Sequence, residues 1–72
     1  MTRTQIRLDT LSDVNKFIET MTRLNEPVWL EDGGTIRVSA TSMLACLYSL
    51  EWQHIYVLCE RDINIHLMPW AI

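Results

Sequence analysis

Basic residues are few and dispersed: six Lys and Arg stand against nine Asp and Glu, for a net charge of -3. Arg3, Arg7, Lys16, Arg23, Arg37 and Arg61 never gather into a run, which excludes the basic stripe that a nucleic-acid binder needs. Cysteine is equally sparse. Cys46 and Cys59 lie thirteen positions apart without a CxxC or a paired histidine, so neither a zinc site nor a disulfide scaffold is expected. Two unpaired thiols suit a reducing cytosol, and both read as small core hydrophobes. No apolar run approaches the length of a membrane span, and Met1-Thr2-Arg3-Thr4-Gln5 lacks the hydrophobic stretch of a signal peptide. The expectation is a cytoplasmic protein that touches neither membrane nor nucleic acid.

What is present is apolar material in a short chain. The sequence has 72 residues, of which 49% are hydrophobic, enough for one domain over residues 1–72 and too little for a two-lobed enzyme. So small a core leaves few apolar residues to spare, and a surplus apolar face is a functional signal.

The pattern along the chain predicts the order β-α-β-β-α-β-α. Gln5 to Leu8 alternates polar and apolar, as a half-buried strand does, with Ile6 and Leu8 inward. Thr10 then opens a helix in which Leu11, Val14, Phe17, Ile18, Met21 and Leu24 recur at spacings of three and four. Thr10 or Ser12 caps its first turn and Glu26-Pro27 stops it. Val28–Leu30 and Thr35–Val38 flank Glu31-Asp32-Gly33-Gly34 and read as a hairpin. A short helix fits between Thr41 or Ser42 and Leu50, and Ile55–Cys59 suits a central strand. Arg61 and Asp62 begin a last helical segment with Ile63, Leu67 and His66 on one side, which Pro69 ends. The fold class is therefore α+β, a four-stranded antiparallel sheet with helices packed on one face.

No catalytic constellation stands out, and no enzyme activity, cofactor or metal is expected. His54 and His66 have no Ser, Cys or carboxylate at a spacing that makes a local dyad, and read as surface or half-buried side chains. Gly33-Gly34 does not open a helix, which removes the context of a phosphate-cradling loop. Asp9, Asp13 and Glu19 lack calcium-loop spacing and read as a solvated face.

The second helix is the exception. Met43, Cys46, Leu47 and Leu50 form one stripe at about 100° per residue, while Leu44 and Tyr48 fall off it. A helix apolar nearly all round cannot be covered on both sides in a two-layer domain. Met43 and Leu44, with Leu47 at the boundary, are therefore expected to dock a protein partner. The alternatives are a fold-back of Trp52 or of the Trp70-Ala71-Ile72 tail over the helix, or a homodimer through the same surface.

Asp13-Val14-Asn15-Lys16-Phe17-Ile18, the Asp32-Gly33-Gly34-Thr35-Ile36 turn and Val38-Ser39-Ala40-Thr41-Ser42-Met43-Leu44 together resemble the HPr family. These are the histidine-containing phosphocarriers of the bacterial sugar phosphotransferase system. The resemblance implies an open-faced sandwich that docks partners through its first two helices. Ser42 matches the position of the family's regulatory serine, phosphorylated in many Gram-positive members, although a plain N-cap is the other reading of this residue. Met43, Leu44 and Leu47 match the apolar partner-binding positions. The phosphate-accepting centre departs from the family: Thr10 stands at the histidine position, Ser12 at the arginine and Asp13 at the proline. A threonine cannot form the labile phosphoramidate, Ser12 offers no charge to neutralise it, and Asp13 repels it. The resemblance thus implies an HPr-like regulatory or binding domain without phosphocarrier activity, acting on phosphotransferase or regulatory proteins.

Overall fold

The computed structural model describes all residues, Met1–Ile72. Its elements are β1 (Thr2–Ile6), α1 (Leu11–Leu24), β2 (Val28–Glu31), β3 (Arg37–Ser39), α2 (Met43–Ser49), β4 (Ile55–Cys59) and α3 (Asn64–Leu67). The four strands form one antiparallel sheet in the order β1-β4-β2-β3, and the helices cover one side of it. This is the expected α+β architecture.

The side chains sort by the two-residue period of each strand. Ile6, Val28, Leu30, Ile55, Val57 and Cys59 point to the helices and join Val14, Phe17, Met21, Ala40, Cys46, Ile63, Leu67 and Trp70 in one core. On the other face, Arg3, Leu58, Trp29 and Ser39 lie side by side across the four strands, as do Gln5, Tyr56, Glu31 and Arg37. Leu58 is buried on that open face, outside the main core, with Arg3 and Trp29 as its cross-strand neighbours.

Several boundaries differ from the sequence expectation. The first strand is Thr2–Ile6, not Gln5–Leu8, because β4 offers it only the register from Thr2↔Cys59 to Ile6↔Ile55. Leu8 nevertheless enters the core from the connection that follows. The hairpin turn reaches further than expected: Asp32 Oδ1 accepts from the N–H groups of Gly34 and Ile36, and these bonds hold Thr35 and Ile36 out of β3. In α1, Leu11 is exposed, and Val14, Phe17 and Met21 carry the packing. Asn25 closes that helix in the left-handed conformation, φ 53°. In α3, Ile63 and Leu67 are inward and His66 is exposed.

The C-terminal tail does not lie over α2. Trp70 is buried with its ring edge-on to Phe17, centroids 5.3 Å apart at 83°. Its carbonyl accepts from Arg7 N–H at 2.8 Å, and Ala71 bridges to Ile6, so the tail lines the outer edge of β1.

Candidate protein-docking surface

Helix α2 turns its small side chains inward. Ser42 caps it, its Oγ accepting from Ala45 N–H at 3.3 Å. Cys46 and Ser49 are the buried residues of the helix, with Ala45 half-buried. Their hydrogen bonds are local: Cys46 Sγ donates to Ala40 O, and Ser49 Oγ donates to Cys46 O at 2.6 Å. Small side chains inward let α2 sit close to the layer beneath it, and the large apolar ones are left outside. Leu44 is 81% exposed, Tyr48 50%, Met43 43%, Leu50 38% and Leu47 37%.

The three sequence-predicted docking residues, Met43, Leu44 and Leu47, are thus brought onto one surface. Of the stripe Met43, Cys46, Leu47 and Leu50, only Cys46 is buried. Tyr48 and Leu50 are the members the sequence reading missed. The signal that locates them is the run of small residues Ala45, Cys46 and Ser49 on the opposite side of the helix. Trp52 packs half-buried against the core and touches Tyr48 edge-on, centroids 5.8 Å apart, without covering the helix. Leu50 continues the surface into a cleft of about 330 Å³ that Leu8, Trp52 and Ile55 also line.

No protein-family model, curated protein or solved structure matches this chain.

The start of α1 is closed rather than receptive. Thr10 Oγ accepts from Asp13 N–H at 3.1 Å, and Asp13 Oδ2 accepts from Thr10 N–H at 3.2 Å and from Asp9 N–H at 3.1 Å. This capping box fills the helix N-terminus with the protein's own carboxylate. Ser12 is exposed one position before Asp13. An incoming anion would meet the Asp13 carboxylate there.

The remaining reactive side chains stay apart. His54 is exposed with its Nδ1 3.2 Å from Gln5 Nε2, and His66 is exposed on α3. Burial pushes the Cys46 thiol up to about 11, which leaves little thiolate near neutrality. Cys59 is buried and contacts Glu26 Oε2 at 3.8 Å. No three His, Cys, Asp or Glu side chains come together, and no helix is long and apolar enough to cross a membrane. On the open sheet face Glu31 pairs with both Arg3 and Arg37, at 3.3 and 3.5 Å, and Arg3 lies 4.0 Å above the Tyr56 ring. That face pairs its one carboxylate with two guanidinium groups and keeps one positive charge in excess, whereas the face of α2 is apolar and carries no charge.

Proposed function

We propose that this protein is an HPr-like cytoplasmic domain that binds another protein through α2 and does not carry phosphate on histidine. One observation carries the reading: α2 turns its small side chains inward and exposes Met43, Leu44, Leu47, Tyr48 and Leu50. Exposed apolar surface of this kind in a small domain marks an interaction site. The absence of a phosphate-accepting centre is supported by Thr10, whose hydroxyl is engaged in the capping box with Asp13. The partner is a protein of the phosphotransferase network or a regulator that reads HPr-like surfaces. The buried free thiols of Cys46 and Cys59 suit a reducing compartment.

Ser42 is the proposed point of control. Its hydroxyl caps α2 beside Met43, and a phosphate there would add about -1.5 to -2 charges at the rim of the apolar surface. Docking of an apolar partner would then weaken.

Affinity capture with the wild-type chain and with a Met43→Ser, Leu44→Ser double variant tests the binding reading. A partner retained by the wild type and lost by an equally stable variant is expected, and a partner held equally by both refutes it. Incubation with the first enzyme of the phosphotransferase system and phosphoenolpyruvate is expected to leave no acid-labile phosphate on the chain. Stoichiometric labelling would overturn that half of the proposal.

A further inference from the structure

We infer that the α2 face closes on the α2 face of a second copy across a two-fold axis, with the two helices antiparallel. The inference rests on α2 being the docking surface, and it names the second copy as the occupant of that surface while no other partner is bound.

Charge is the first argument. Residues 38–50 contain no charged side chain, in a chain whose net charge of -3 opposes self-association elsewhere. Two copies can meet at α2 without juxtaposing like charges. The face also offers no charge for a strongly charged partner to complement, which favours a neutral apolar counterpart, and a second α2 is one.

Area is the second argument. The exposed parts of Met43, Leu44, Leu47, Tyr48 and Leu50 amount to roughly 500 Å² per copy, so complete face-to-face burial removes at most about 1,000 Å² from water, enough for a transient dimer and not for a permanent one. An interface of that size lies at the weak, transient end of specific association.

The orientation follows from Glu51, the first charge after α2. Parallel helices would place the two Glu51 carboxylates side by side. Antiparallel helices send them to opposite ends, with Leu47 near the axis, Leu44 facing the second copy's Tyr48 and Met43 facing its Leu50. Large faces large at each of these positions, and the isologous symmetry is satisfied.

Sedimentation equilibrium of the full chain from about 2 to 500 μM is expected to show a monomer–dimer equilibrium in the micromolar range. Leu44→Glu is expected to weaken it at least ~50-fold, because a buried unpaired carboxylate would sit against Tyr48. Leu47→Cys is expected to form a disulfide-linked dimer under mild oxidation, which the buried Cys46 and Cys59 of the wild type do not. A monomer at the highest concentration overturns the inference, as does a dimer indifferent to Leu44→Glu. If the wild type is monomeric yet loses a captured partner on Leu44→Glu, self-association fails while the docking reading stands. If the variant changes neither dimer nor capture, both fall.

Discussion

Thr10 and Asp13 hold each other reciprocally, each side chain accepting from the other's backbone N–H at 3.1–3.2 Å. The pair settles where α1 begins. It also satisfies two N–H groups at the helix N-terminus with the protein's own hydroxyl and carboxylate.

Thr10→Ala removes the hydroxyl from that pair. The expected cost is about 1 kcal/mol, equivalent to a melting temperature roughly 4–8 °C lower for a domain of this size. Thermal denaturation followed by circular dichroism measures it. A variant that melts with the wild type would show that the box contributes nothing.

The Cys46 thiol makes stability fall in mild alkali. Its folded-state value of about 11 lies above the ordinary 9.0, so the unfolded chain loses this proton first. The contribution is fully present below about pH 9 and is lost as pH rises towards 11, at most about 3 kcal/mol. Urea titrations between pH 8 and 11 should give a steeper decline for the wild type than for Cys46→Ala. Parallel curves would show that burial of the thiol has no such consequence.

Gly33 and Gly34 are adjacent but not equivalent. Gly33 has φ 91°, and a Cβ there would stand 3.0 Å from the Tyr56 ring, whereas a Cβ on Gly34 would make only a 3.5 Å contact with Asp32. Gly33→Ala should therefore destabilise by roughly 1–2 kcal/mol and Gly34→Ala by far less. Denaturant midpoints of the two variants make the comparison.

Glu31 joins two strands through Arg3 and Arg37. Both arginines are half exposed, so Glu31→Gln is expected to cost no more than about 1 kcal/mol, with the difference shrinking as salt is raised. An effect independent of ionic strength would assign the role of Glu31 to packing instead.

The two sides of α2 should respond oppositely to substitution. Leu44→Ser alters a side chain that is 81% exposed and is expected to shift monomer stability by less than about 0.5 kcal/mol. Ser49→Leu forces a larger group into a fully buried site and is expected to cost about 1–3 kcal/mol. Equal effects would mean that the helix is rotated from its assigned position.

Periodicity made most of the architecture legible. The Val14, Phe17, Met21 spacing and the apolar run Ile55–Cys59 each have one structural solution, and both form the elements expected of them. Strand register was not legible, because the position of β1 depends on which residues of β4 remain for it to pair with. The docking helix was half legible. Its all-round apolar character was visible, but hydrophobicity alone ranks Leu above Ser for burial. Close packing of α2 against its neighbours reverses that order by selecting Ala45, Cys46 and Ser49 for size. The destination of the tail was likewise hidden, since the edge-on fit of Trp70 to Phe17 joins residues far apart in the sequence.

β4 is the last strand in the sequence, yet it lies inside the sheet between β1 and β2. Thr2 therefore waits for Cys59, fifty-seven positions later, before its strand finds a partner. During synthesis β1 has no sheet partner until Ile55–Cys59 has been made, and the β2–β3 hairpin leaves one edge open for the same interval. A sheet of this order cannot close before Ile55–Cys59 is available, and until then the edges of β1 and β2 are open to pairing with other chains.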